Sequence, residues 1–490
     1  MMPTGRLSMS RRSSPSAGTS PGGTALFAVV LLALLASGSL LGLRQQPGET
    51  GATAQEENAK LRIVLTGNSE GQLRVCRCSL GQHGGWERLA TALKGELSDS
   101  PVILLDAGAF VRPQGSSPDR AADSTFRILK ELGYSAVNVA EHEMGLGSTN
   151  VSEKAQATGI PALSANIVDS NGTPVFEPFV VKTLPASDFR PALAHDLRVG
   201  VLGLTSAACN LAKYSADNSA LKVQDPIEAA REQLPMLAAQ ADLVIVLCDL
   251  EAREIDALVA ACPQIDAVAC GRRHQPDELR GVSKQSGKTL VFYGGKDLFQ
   301  HYGLLEFSLD HEGRIESAHG DCRLLENGKV AEDPQMTKLI GELLRKQASD
   351  IMAQAASRTA VQRVKPYAGF GTCRTCHADE FRQWETTKHA RAFQTLTATE
   401  QLETDCVSCH TTGFGNGGFV AKISTPKLTG VQCEACHGAG GMHVADTSQP
   451  PQRSDPMSSC TDCHTERRSP NFEPNSYRSR ILHTAGHDTQ

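Results

Sequence analysis

The chain reads as a layered α/β domain followed by a small, mainly helical and irregular domain whose own side chains barely fill a core. Three observations carry this. Short apolar runs alternate with amphipathic segments from Leu61 to about Leu344. From Pro366 onward Gly, Thr, Ser and charged residues dominate, and large aliphatic residues are few. Within that second segment a Cys-x-x-Cys-His pattern occurs four times in about a hundred residues.

At 490 residues the chain is long enough for two or three domains. The pattern divides it into a basic tail (1–24), an uncharged segment (25–43), a polar linker (44–59), the α/β domain (60–345), a helical or loose connector (346–365) and the cysteine-rich domain (366–490). Net charge is −6, with no polycationic surface for nucleic acid, which is not expected as a partner. Arg6, Arg11 and Arg12 precede Ala25 to Leu43, which holds no charge. That is the pattern of an export signal, either retained as a membrane anchor or cleaved near Ala36 and Gly38 or Ala52 and Ala54. Both readings put the body in a periplasmic or other extracytoplasmic compartment, held to the inner membrane through Ala25 to Leu43 if that segment stays.

Strands are expected at Leu61–Thr66, Pro101–Asp106, Ala136–Ala140, Leu197–Thr205, Leu243–Cys248, Asp266–Cys270 and Thr289–Tyr293, all apolar enough to be buried on both faces. Helices are expected at Asp123–Leu132, Pro226–Ala238 and Ala252–Ala260, where apolar residues recur at helical spacing. The strand–helix alternation is that of a layered, largely parallel fold.

The repeats carry the chemistry. Cys373 and Cys376, Cys406 and Cys409, Cys433 and Cys436, and Cys460 and Cys463 are spaced to add two thiols across the vinyl groups of a haem. His377, His410, His437 and His464 follow directly and would be the proximal iron ligands. Four covalently bound haem c groups are expected. Zinc is the competing reading of paired cysteines, but a zinc ribbon gives no reason for a histidine after every second cysteine. A six-coordinate iron needs a second ligand, and His389, His443, His483 and His487 are the spare histidines of this segment, with Met442 and Met457 as rivals. His483 and His487 are four apart, so on a helical tail they would share a face and crowd one haem. That favours three bis-histidine haems and one open or weakly ligated iron.

Gln383-Trp384, Lys388-His389-Ala390, Cys406 to His410 leading to Gly413-Phe414-Gly415, and Leu428 to Gly438 resemble the tetrahaem cytochrome family whose best-known member accepts electrons from hydroxylamine oxidoreductase. The resemblance covers roughly Tyr367 to His483. It implies closely stacked haems, mostly bis-histidine, with room for one open iron.

The loops of the first domain resemble a second family. Thr66 to Gly71, Gly84-Gly85 with Arg88, Leu105 to Ala109, Ala140 to Glu143 with Gly147, and Gly271 to His274 are similar in order and spacing to the metallophosphoesterase domain of bacterial 5'-nucleotidases. The resemblance covers about Leu61 to Leu309 and implies two metal ions bridged by a water nucleophile. Residue by residue, the metal site is depleted. Asn68 and Glu70 stand where the family has its first Asp and His, Ala109 replaces the bridging Asp, and Glu141 the Asn before His-Glu. Asp249 replaces a His, and Arg272 the first His of the Gly-His-x-His turn. His142, matching the family's transition-state His, and the ligand His274 remain. The expectation is a retained fold with a lost phosphoesterase site. The alternative is one cation held by Asn68, Glu70, Glu141, Asp249 and His274.

Seven of the fifteen cysteines lie outside the repeats. Structural pairing or burial is the plain reading. Cys76, Cys78, Cys248 and Cys270 flank the site loops, however, and form a candidate thiol site for a soft metal or a redox pair. The sequence thus points to an exported or anchored tetrahaem electron carrier that meets redox partner proteins, its α/β domain acting as a docking or ligand-sensing module. A redox enzyme with an open haem or thiol-lined site and a variant-site phosphoesterase are the alternatives.

Overall fold

Residues 58–75, 83–111, 118–213, 218–271, 277–294, 298–359, 366–398, 400–450, 456–465, 468–469 and 471–483 are described by the computed structural model. Ala25–Leu43, Cys76, Cys78, Arg272, His274 and His487 lie outside them. Among the described residues no helix is long and apolar enough to cross a membrane.

The strands run, in chain order, β1 (Ala59–Thr66), β2 (Val102–Asp106), β3 (Ala136–Asn138), β4 (Ala162–Leu163), β5 (Ile167–Val168), β6 (Phe179–Leu184), β7 (Leu197–Thr205), β8 (Lys222–Val223), β9 (Leu243–Asp249), β10 (Ala267–Cys270), β11 (Val282–Ser286), β12 (Thr289–Tyr293), β13 (His301–Leu309) and β14 (Ile315–Leu324). They form two six-stranded sheets, ordered β14-β13-β1-β2-β3-β4 and β11-β12-β10-β9-β7-β6, with β5 and β8 as a small ribbon. Pairing is parallel from β1 through β4 and from β7 through β9 and β10 to β12. Parallel neighbours need crossovers, and helices α1 (Trp86–Glu96), α2 (Pro118–Leu132), α3 (Ser148–Thr158), α4 (Pro226–Ala238) and α5 (Ala252–Ala261) lie between strands along the chain.

Alternation along each strand sets the layers. Ile63 and Leu65 of β1 meet Ile245 and Leu247 of β9 in one core between the sheets. Val64 faces the other way, into the core shared with Trp86, Leu89, Phe126 and Leu129. Val244, Val246 and Cys248 likewise face Leu234, Leu237 and Leu258 of α4 and α5. The result is helix, sheet, sheet, helix, and it brings the ends of β1, β2, β3 and β10 together.

Helix α6 (Pro334–Thr359) continues through the stretch read as a connector. Ile340 and Leu344 seal it onto the first sheet's helix layer.

The domain beyond Pro366 is built of short helices around the repeats: Phe370–Cys373, Ala378–Glu385, Thr404–His410, Cys433–His437, Gly441–Ala445, Cys460–Cys463 and Pro474–Arg478. Its own apolar cluster is small, with Phe393, Val407, Phe419 and Leu428 at the centre. Glu434 ties the segment together, accepting hydrogen bonds from the backbone N–H groups of Ala368, Gly369 and Gly440. Arg74, from the loop after β1, joins the domains through ion pairs to Glu87 at 3.3 Å and Glu403 at 3.6 Å.

Candidate haem sites and the loops of the α/β domain

The fold brings histidines together in facing pairs. His377 faces His443 with ring centres 6.3 Å apart, His389 faces His464 at 6.2 Å, and His437 faces His483 at 6.3 Å. Direct ring packing would be closer; His464 and Phe472, in contact, lie at 4.3 Å. An imidazole–metal bond is about 2 Å, so a metal between two imidazoles sets their nitrogens about 4 Å apart and their ring centres about 6 Å apart. All three pairs have the spacing of two axial ligands.

The outer ring nitrogens are also fixed. Nδ1–H of His443 donates to the Gln449 carbonyl at 2.6 Å, that of His483 to Gln383 Oε1 at 2.6 Å, and that of His410 to the Ala392 carbonyl at 2.6 Å. His464 Nδ1 shares a hydrogen bond with the Ser469 hydroxyl at 3.0 Å. An acceptor on Nδ1 keeps the proton there and leaves Nε2 bare for a metal. Burial, with His464 beside it, holds His389 below the ordinary histidine pKa. Burial, with His483 and His377 nearby, does the same for His437, and burial alone for His464. Metal binding requires the neutral form that these sites favour.

Among the described residues no second histidine faces His410 at this spacing. Met442 adjoins His443, which already faces His377. The short helix Pro474–Arg478 ends before His483, so this histidine is on irregular backbone.

The attachment cysteines group in twos. Cys373 of the first repeat lies beside Cys433 of the third, and Cys409 of the second beside Cys463 of the fourth, each near enough to influence its neighbour's thiol. In a matured protein these thiols stand in for thioether sulfurs, so the residues fit haems in two close pairs.

Residues 372–438 match the family model described as cytochrome c554 and c-prime. Cytochrome c-554 of Nitrosomonas europaea is 36% identical over 92 residues, covering 15% of this chain and 39% of its own length. Protein UshA of Salmonella pullorum is 28% identical over 182 residues, covering 36% of this chain and 30% of its own length. This is a cytochrome c fused to a nucleotidase-like domain. The chain spans about a third of the length of these curated relatives. The sulfate thiohydrolase SoxB of Thermus thermophilus superposes with a TM-score of 0.50 at 15% identity, over 59% of this chain and 61% of that one, a likeness of fold. The c554 family is one of covalently bound haem c, and the fold of the α/β domain is that of the metallophosphoesterases.

In the nucleotidase-like domain the site residues make other contacts. Asn68 is buried, and its Nδ2 donates to the Gly271 carbonyl at 2.9 Å. Glu141 pairs with Lys213 at 3.6 Å. Glu143, fully buried, accepts from the N–H groups of Ala109, Phe110, Val111 and Ala140. The backbones of Asn68, Glu70 and Ala109 have φ of 57°, 49° and 55°, so the first two site loops keep the left-handed turns that lie on the strand ends. The loops are laced together by Asn68 N–H to Gly108 O and Glu70 N–H to Ala109 O, both 2.9 Å. Gly108, at φ 97°, passes so near Asn138 that a Cβ would stand 2.9 Å from its carbonyl oxygen.

Asp249 ends β9, and His142 starts the turn that carries Glu143. Among the described residues no three His, Cys, Asp or Glu side chains converge to hold a metal. Cys248 and Cys270 do come together as register partners on β9 and β10, but they point into the closed apolar layer under α4 and α5. His274, Cys76 and Cys78 fall outside the described residues.

Sequence reasoning assigned no role to Gln383, Gln449, Ser469, Glu434 or Arg468. A Gln, Ser or Arg near a repeat is common. Only the fold shows which of them reach a ligand.

Proposed function

We propose that this protein is an exported tetrahaem electron carrier with three bis-histidine irons and one open iron above His410. The observation that carries it is the contrast between three histidine pairs near 6.3 Å and His410, which no second histidine faces among the described residues. His377 with His443, His389 with His464, and His437 with His483 would hold three irons, and the eight repeat cysteines would fix the four macrocycles. Haem c supplies reversible one-electron chemistry when bound. The protein's part is to fix each imidazole through its outer nitrogen, exclude water, and keep the macrocycles close.

The nucleotidase-like domain serves as a docking or ligand-sensing module for redox partner proteins. Replacement of the bridging carboxylate by Ala109, the neutral amide of Asn68 in place of a carboxylate and pairing of Glu141 with Lys213 support loss of hydrolysis. Periplasmic placement fits both the c554 resemblance and the N-terminal signal.

A second reading, reduction or oxidation of a small substrate, is favoured because no partner histidine faces His410 among the described residues. One experiment tests both. Full-length protein matured with a c-type system should contain four haems by intact mass and haemochrome assay. The reduced form should bind one carbon monoxide per chain. Two or fewer haems would defeat the tetrahaem reading, and no carbon monoxide binding would defeat the open iron.

A further inference from the structure

Two buried charges of opposite sign flank the attachment cysteines. Glu434 is 5% exposed and follows Cys433 directly. Its carboxylate accepts backbone N–H groups at 2.7–2.9 Å, from Ala368, Gly369 and Gly440, and these are its hydrogen-bond partners among the described residues. Because Cys433 lies beside Cys373, this negative charge is near the first and third attachments.

Arg468 lies beside the other two. Its side chain is 15% exposed; Nη1 reaches Cys409 Sγ at 3.1 Å, and Cys409 lies beside Cys463. Asp405 compensates only in part, at 3.4 Å and 37% exposed. Glu403, near Cys406, carries its own counter-ion in Arg74.

We propose that Glu434 and Arg468 set the direction of internal electron transfer, so that electrons collect on the haems attached through Cys409 and Cys463. The proposal rests on the tetrahaem reading above. Oxidation leaves an iron one charge more positive. A fixed buried anion stabilises that state and a fixed buried cation opposes it, with little screening by water. An electron that crosses leaves a ferrous iron ferric in the Cys373/Cys433 pair and makes a ferric iron ferrous in the Cys409/Cys463 pair; no bond or proton moves. The receiving pair includes the iron of His410, so the gradient runs toward the open site.

The test is a redox titration of the full-length, fully loaded protein, followed optically and by electron paramagnetic resonance. Haem content is measured first: a count other than four refutes the underlying reading, not the gradient. Arg468→Gln should lower the potential of the pair that includes the high-spin iron, changing the partition between pairs by at least about tenfold, or ~59 mV for a one-electron couple. Arg468→Lys, which keeps the charge, should restore most of it. Asp405→Asn, at a partly exposed side chain, should raise the same potentials and carries the test if Arg468→Gln loses haem. Glu434→Gln should raise the potentials of the other pair. If Arg468→Gln and Asp405→Asn shift neither pair, or shift all four haems alike, the proposal is overturned.

Discussion

His389 and His464 face one another with ring centres 6.2 Å apart and planes inclined at 48°, although 75 positions separate them in the chain. His464 belongs to the last repeat and His389 lies between the first and second. In the proposed arrangement the second ligand of the haem on the last repeat would come from near the start of the domain. His389→Ala should leave that iron without its second ligand while both cysteines and His464 still hold the macrocycle. The expected result is an unchanged count of four haems, a second high-spin signal, and carbon monoxide binding that rises from one to two per chain. An unchanged low-spin spectrum would break this pairing.

The junction between the domains makes a second prediction. Arg74 lies 3.6 Å from Glu403, which immediately precedes the helix carrying Cys406 and His410. Burial raises the Glu403 pKa to about 7, and Arg74 is the main influence pulling it down. Arg74→Gln leaves that buried carboxylate without its counter-ion. Stability should fall by about 1–3 kcal/mol, the usual result of orphaning a buried polar partner. The loss should be larger at pH 8 than at pH 6, because only the ionised carboxylate needs the cation. Denaturant unfolding followed at the haem absorption band measures it; equal midpoints for variant and parent at pH 8 would exclude the link.

How much of this was legible in the sequence depends on which signals survive without a fold. β1, β2, β7, β9, β10 and β12 are apolar runs buried on both faces, and their residues announce that. β13 and β14 were not expected. β14 is an edge strand whose residues are largely exposed and polar, so it lacks the apolar run; β13 is buried between β1 and β14, but its apolar residues are interrupted by Gly303, Glu306 and Ser308. The repeats fixed the proximal histidines because the chemistry demands adjacency. Distal pairing was closed to sequence reasoning, since His389 meets the fourth repeat and His443 the first. The roles of Glu434 and Arg468 depend on burial, which one sequence does not display.

Two buried carboxylates near the site loops give a pH prediction. Burial raises Glu143 to about 8, against the pull of the Ala109 and Ala140 N–H groups, and Asp106 to about 6, against Thr66 and Gly108. Both folded pKa values exceed the ordinary values of 4.5 for Glu and 3.8 for Asp, so the folded state binds more protons between the two. This contribution is complete below about pH 4 and is lost as pH rises through 6 for Asp106 and through 8 for Glu143. The α/β domain should therefore be more stable near pH 5 than near pH 8.5, by on the order of a few kcal/mol. Fluorescence of the buried Trp86 reports its unfolding. A midpoint that rises over this range would contradict the raised pKa values.

The last prediction concerns hydrolysis. A two-metal phosphoesterase needs a carboxylate between its cations, and Ala109 offers a methyl group there. It also needs charged or imidazole donors on the other strand ends. Asn68 offers only a neutral amide, oriented by its Nδ2 hydrogen bond to the Gly271 carbonyl, and Glu141 is paired with Lys213. Full-length protein given manganese, zinc or magnesium should hydrolyse nucleotides and simple phosphate esters far below an ordinary enzyme rate, which is on the order of 1 per second or faster. Ala109→Asp alone should not restore activity, because Asn68, Glu70 and Glu141 would still present the wrong donors. Turnover by the parent protein at an ordinary rate, lost on chelation and regained with metal, would return the domain to the working phosphoesterases and leave the haems as its electron-carrying appendage.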